Sequence, residues 1–251
     1  MRSFLMTSLL GVGLVAVGGG VPAAAQEASS GDASLQQQLQ TLKQQAGKRM
    51  PPEVLKAFKD GVDKVRATGI EKNAKRAGDA APDFELTNAA GEKVRLSEQL
   101  KKGPVVLQWY RGGWCPYCNL QLRAMQKALP EFEEQGATLI AISPQLPDKS
   151  LSTKEKQELQ FDVVSDLGNK VAEDYGIVFK LPEDVATIYD KFVKLQEQNG
   201  DDSNELPLPA TYVIGQDGKI HHAYLNADYS ARAEPADVVD AVKELKKGSS
   251  K

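Results

Sequence analysis

Two cysteines, two histidines and two tryptophans are a sparse stock of reactive and bulky side chains for 251 residues. Because Cys115 and Cys118 are the whole thiol content, a disulfide-dense scaffold is excluded, as is a four-cysteine zinc site. Histidine offers no substitute: His221 and His222 are neighbours in a strand pattern and so project to opposite faces, which reads them as ordinary strand residues and leaves no metal or other cofactor expected. A charge excess is lacking too. Lys and Arg total 31 against 34 Asp and Glu, so a basic surface for nucleic acid is not expected. Apolar residues make up 41% of the chain and charged ones 26%, with 21 Gly and 13 Pro, which excludes collagen and wholesale disorder.

Long hydrophobic runs are also missing. The strongly apolar stretch at residues 4–17 falls short of the ~20 residues that span a bilayer. Preceded by Arg2 and followed by Pro22, three alanines and Gln26, it reads as a removable secretory signal over residues 1–25. The expected product is exported, periplasmic or secreted, without stable membrane insertion, in a compartment where thiols are oxidised. No cysteine precedes Cys115, so a lipid-modified N-terminal cysteine is unavailable.

What is present divides into a leader and helical arm (residues 26–77), one domain (78–247) and a short tail (248–251). Leu35, Leu39, Leu42 and Ala46 mark one amphipathic helix, and Leu55, Phe58, Val62 and Val65 a second, separated by Pro51-Pro52 and closed by Gly69. Their apolar face carries no reactive group, which fits a packing appendage or a homodimer contact. Beyond Ala77 and Gly78, residues 83–87 and 93–97 alternate as an exposed hairpin. Residues 105–110 form a near-continuous apolar run of the buried-strand type, followed by a helix over 115–135 and a second buried strand over 137–143. That β-α-β unit predicts parallel strands. Helices over 149–159 and 185–195, a strand over 161–164, a surface loop over 199–204, a hairpin turning at 215–218 and a final helix through Val238, Val242 and Leu245 complete an α/β sandwich.

The chemistry concentrates in residues 111–118, Arg-Gly-Gly-Trp-Cys-Pro-Tyr-Cys. Cys115 falls at the start of a helix, Pro116 in its first turn and Cys118 one turn in. Free N–H groups and the helix dipole favour a thiolate there, and cysteines so placed have pKa values lowered from about 8.5 to about 3.5–7.5. Cys115 is thus expected to be the ionised nucleophile, with Cys118 near enough to close a Cys115–Cys118 disulfide. A purely structural bridge is disfavoured, since closing so short a loop stabilises by roughly 2 kcal/mol against about 4.7 for a 100-residue loop. Pro209, ending Leu-Pro-Leu-Pro immediately before a strand, is a candidate cis proline beside the site. Trp114 is expected to shape the entrance.

Residues 105–125, 141–145 and 207–214 together resemble the peroxiredoxin-like branch of the alkyl hydroperoxide reductase and thiol-specific antioxidant superfamily, over about residues 77–245. The resemblance implies a thioredoxin-like, peroxiredoxin-type fold. It also implies peroxide as substrate, Cys115 as the peroxidatic and Cys118 as the resolving residue, and a thioredoxin-like or other thiol reductant as partner. Typical members carry Pro and Thr seven and three residues before the peroxidatic cysteine, where this chain has Gln108 and Gly112, and an Arg where it has Pro209. Those departures favour disulfide exchange, with Arg111 a candidate replacement for the missing positive charge. The expectation is therefore a thiol-dependent peroxidase, with a thiol:disulfide oxidoreductase and a non-enzymatic binding protein as alternatives.

Overall fold

The computed structural model describes residues 33–249; the expected signal and most of the leader lie outside the described residues. A seven-stranded sheet organises the fold. It is built from β1 (Glu85–Asn88), β2 (Lys93–Arg95), β3 (Val105–Trp109), β4 (Thr138–Ser143), β5 (Asp162–Ser165), β8 (Ala210–Ile214) and β9 (Ile220–Leu225) in the order β2-β1-β5-β4-β3-β8-β9. β3, β4 and β5 are parallel, as the β-α-β pattern predicts, and β8 and β9 return antiparallel on the other edge. A separate ribbon pairs β6 (Val178–Lys180) with β7 (Glu205–Pro207).

Alternation along the buried strands divides the core into two layers. From β3, Val106 enters one layer while Val105, Leu107 and Trp109 enter the other. The first layer is closed by α5 (Pro116–Glu134) through Leu122, Met125, Leu129 and Phe132, and by α10 (Pro235–Ser249) through Val238, Val239 and Val242. The opposite layer takes Val65 from α2 (Pro52–Ala67), Ile70 from α3 (Ile70–Asn73), Leu96 from α4 (Leu96–Leu100) and Val171 from α7 (Lys170–Asp174). The arm helices are thus packed parts of the unit. α1 (Leu35–Arg49) lies on α5 and buries Leu35 and Leu39, while α2 lies on α8 (Glu183–Phe192).

Several local expectations change. The hairpin is no isolated surface feature, because β1 pairs with β5 and so extends the main sheet. The helix expected over 149–159 is α6 (Pro147–Lys156), shifted toward its proline start. The helix expected over 185–195 breaks where Lys194 adopts φ +54°, and α9 (Leu195–Asn199) begins there. Asn199, expected in a surface loop, is consequently a buried helical residue. Among the described residues no helix is long and apolar enough to cross a membrane.

Candidate active site

The end of β3 and the start of α5 build the site. Tyr110 N–H still donates to the carbonyl of Ile142, after which the chain turns. Gly112 has φ +148°, and a Cβ there would lie 2.3 Å from the Trp114 indole nitrogen, so the tight fold of this turn over itself requires glycine. Gln145 Oε1 accepts from Gly113 N–H at 2.7 Å, and Asn119 Nδ2 donates to the Gly113 carbonyl at 2.8 Å. The turn delivers Cys115 to the N-cap of α5, with Pro116 in the first helical turn. Both thiols are free. Cys115 is 2% exposed and Cys118 fully buried, with exposed Pro116 and half-buried Trp114 flanking Cys115, so the pair lies just beneath the surface.

Beneath the turn, Gln108 joins three elements. Its Nε2 donates to the carbonyls of Trp109 and Ala210 and to Gln121 Oε1, and its Oε1 accepts from Thr211 Oγ1 at 2.8 Å. A buried amide with all these partners ties β3 to α5 and β8 where typical relatives have proline. Pro209 is buried at the entry to β8, one step beyond the Trp109–Ala210 register pair, and so stands beside the end of β3.

Two guanidinium groups surround the sulfurs. Arg111 is buried against the rings of Tyr229, Trp114 and Tyr189 at 4.4, 5.1 and 5.3 Å and donates to the Tyr189 hydroxyl. Arg232, from the segment between β9 and α10, donates through Nη2 to Cys118 Sγ at 3.4 Å and through Nη1 to the carbonyls of Tyr229 and Ala231. Neither Arg pairs with a carboxylate among the described residues, and each keeps a buried Nε without a partner. The acidic groups nearest both guanidinium groups are the two thiols.

Burial and contact charge act differently on the two thiols. Burial pushes the Cys115 thiol well up, and its direct interaction with Cys118 adds to the rise, against the opposing pull of Arg111 and Arg232. Burial also resists ionisation of Cys118, but the hydrogen bond with Cys115 and the two guanidinium groups outweigh it and hold this thiol well below its ordinary range. These directions favour negative charge on Cys118, which Arg232 contacts, where the helix-start argument expects it on Cys115. The dipole of one helix end is a smaller influence than a guanidinium in contact at low dielectric. Burial keeps the phenols of Tyr110, Tyr189 and Tyr229 protonated, the first with a pKa pushed up to about 12.

The structure thus brings Cys115, Cys118, Arg111 and Trp114 together, with Pro209 on the adjoining strand entry. Sequence reasoning missed Arg232, Tyr189, Tyr229 and the Gln108 network. Arg232 lies between two alanines outside any periodic run, with no local signal to single it out. His221 instead faces Asp217 on the surface at 3.1 Å, away from this chemistry. No cluster of three or more metal-ligating side chains occurs among the described residues.

Comparison with known proteins agrees with this architecture. Over 144 residues the chain is 30% identical to the thiol-disulfide oxidoreductase ResA of Bacillus thuringiensis subsp. konkukian, covering 57% of this chain and 66% of that one. It is 31% identical over 149 residues to a putative chloroplastic peroxiredoxin Q of Oryza sativa subsp. indica, covering 59% and 58%. The matches therefore span less than two thirds of these curated relatives. Among solved structures, peroxidoxin BcpB from Mycobacterium tuberculosis superposes with a TM-score of 0.54 at 24% identity, covering 68% of this chain and 97% of that one. The reduced 2-Cys peroxiredoxin of Plasmodium vivax gives 0.56 at 19%, covering 70% and 84%. These two likenesses are likenesses of fold. Residues 77–223, which include both cysteines, match the AhpC/TSA family model. With its thioredoxin-like sheet and a paired thiol at the strand-to-helix turn, the chain belongs to the AhpC/TSA family of thiol-based oxidoreductases.

Proposed function

We propose that this protein is a two-cysteine thiol peroxidase acting on hydrogen peroxide and organic hydroperoxides. The observation that carries the reading is the enclosure of the sulfur pair beside two guanidinium groups without carboxylate partners. A protein disulfide needs an exposed sulfur for in-line attack, whereas a small peroxide needs only a narrow approach and donors for the negative charge that grows on its leaving oxygen.

In this scheme Cys115, the sulfur nearer the surface, is the nucleophile. Its proton passes to the Cys118 thiolate, and the Cys115 thiolate attacks the terminal peroxide oxygen. The S–O bond forms, the O–O bond breaks, and the departing alkoxide or hydroxide takes a proton from water. Cys118 sulfur then attacks the resulting sulfenic acid. The S–S bond forms, and hydroxide leaves with the Cys118 proton as water. Two electrons pass from the thiols to the peroxide. A thioredoxin-like or other thiol carrier returns them, and the signal-like segment over residues 1–25 supports an exported compartment for that partner.

Stopped-flow mixing of reduced protein with hydrogen peroxide and with an alkyl hydroperoxide is the test. Oxidation far faster than that of free cysteine is expected, and a rate no faster than free cysteine would overturn the reading. Pro209 beside the site and Gly112 in the place of the family threonine favour a second reading, thiol:disulfide exchange. Rapid reduction of insulin disulfides, with slow peroxide consumption, would support it instead.

A further inference from the structure

Arg232 reaches Cys118 from the segment 226–234, and that segment is held by the helical arm. The first-turn N–H groups of Leu35 and Gln36 in α1 donate to the two carboxylate oxygens of Glu234 at 3.1 and 3.2 Å. Gln36 Nε2 donates to the carbonyl of Arg232 itself at 2.8 Å. One helical face further along, Lys43 Nζ reaches Asp228 Oδ2 at 3.1 Å and Ser230 Oγ at 3.2 Å. From α3, Glu71 Oε1 accepts from Ala227 N–H at 2.7 Å. The family match covers residues 77–223, so both halves of this clamp lie outside it.

We propose that α1 is a positioning element of the thiol site: Gln36 and the Glu234 carboxylate fix the segment that carries Arg232 and thereby keep its guanidinium on the Cys118 sulfur. Arg is a long, flexible side chain, and here no carboxylate among the described residues anchors its head. Its head is held by the carbonyls of Tyr229 and Ala231 in the same segment, so its place follows that segment, whose Arg232 carbonyl Gln36 holds. The proposal holds whether the oxidant is a peroxide or a disulfide.

The test reads the sulfur without any substrate. In the reduced full-length protein, ultraviolet thiolate absorbance is followed against pH for Gln36→Ala, Gln36→Lys and Arg232→Met. The charged and titratable groups facing Cys118 are Cys115, Arg111 and Arg232, with the phenols of Tyr110 and Tyr189. Those phenols stay protonated over the range in which Cys118 titrates, since burial raises both. Arg232→Met is expected to move the first thiolate midpoint upward, and Gln36→Ala to move it in the same direction by less. Gln36→Lys, which restores a donor for the Arg232 carbonyl, should return it toward the native value. Gln36 is exposed, so its replacement leaves the core closed. Glu234→Gln, which weakens the grip on the α1 terminus, is the independent second variant and should also raise the midpoint. Unchanged profiles in Gln36→Ala and Glu234→Gln, or in Arg232→Met, would overturn the proposal.

Discussion

At the residue scale the site is a contest between burial and contact charge. Burial raises the Cys115 thiol, and Arg232, in hydrogen-bond contact with Cys118, favours negative charge on that sulfur. Reduced protein should therefore show one thiolate per chain at pH values below the ordinary thiol range near 8.5, and the second only above it. Stability follows with a definite sign. Cys118, lowered in the native state, adds stability that is complete above about 8.5 and is lost as pH falls through its native pKa, while Cys115, raised in the native state, subtracts stability above about 8.5. Relative to a variant lacking both thiols, the urea midpoint should rise with pH to a maximum near the ordinary thiol pKa and then fall. A monotonic difference would remove the split ionisation. If the roles proposed for the two sulfurs hold, Cys115→Ser abolishes turnover, whereas Cys118→Ser still allows one oxidation of Cys115; mass spectrometry after a single peroxide addition separates them. Gly112 supplies a further test. Restoring the family threonine there places a Cβ on the Trp114 ring at positive φ, so Gly112→Thr should cost about 1–3 kcal/mol and displace the indole, visible as a fluorescence change.

At the element scale, the parts with strong periodicity were legible in the sequence and the short ones were not. β3 and β4 announce themselves as continuous apolar runs because both faces are covered, and α5 by Leu122, Met125 and Leu129 on one side. β6 and β7, three residues each, are too short to display a period, and they exist through their mutual pairing. α4 begins at Leu96, inside an alternation that reads as strand, since its burial against Val105 and Leu107 comes from tertiary packing. Where two elements must approach closely, a single glycine decides. Gly103, before β3, sits so near the turn between α5 and β4 that a Cβ would lie 2.0 Å from the Gly136 carbonyl oxygen. Backbone cannot yield as a side-chain tip does. Gly103→Ala should thus destabilise by about 1–3 kcal/mol and lower Tm by several degrees, at roughly 2–4 °C per kcal/mol for a domain of this size. An unchanged melting curve would show that the two turns separate at little cost.

At the scale of the whole molecule, the candidate site joins segments far apart in sequence. The Cys115–Cys118 pair stands out from its spacing as a candidate, but the link from Gln36 through Arg232 to Cys118 spans nearly the entire described chain and leaves no local pattern to read. The same link predicts an arm whose seating responds to the oxidation state of the sulfurs. A Cys115–Cys118 disulfide carries no charge, so oxidation leaves the buried Arg232 guanidinium with two carbonyls and no anion. Loss of a hydrogen bond between charged partners is worth about 1.5–3 kcal/mol, which is roughly ten- to a hundredfold in a local opening equilibrium. The segment that loses this anchor is the one α1 grips through Glu234 and Lys43. Amide hydrogen exchange in α1 and in residues 226–234 should accordingly be faster in the oxidised than in the reduced protein. Exchange at Val238 and Val242 of α10, which pack in the core, should stay the same and serve as the internal reference. Faster exchange confined to the arm and its segment would show that seating of the arm reports the charge on the sulfur, whereas equal protection in both redox states would show that Arg232 finds full compensation elsewhere and that the arm is indifferent to the chemistry beneath it.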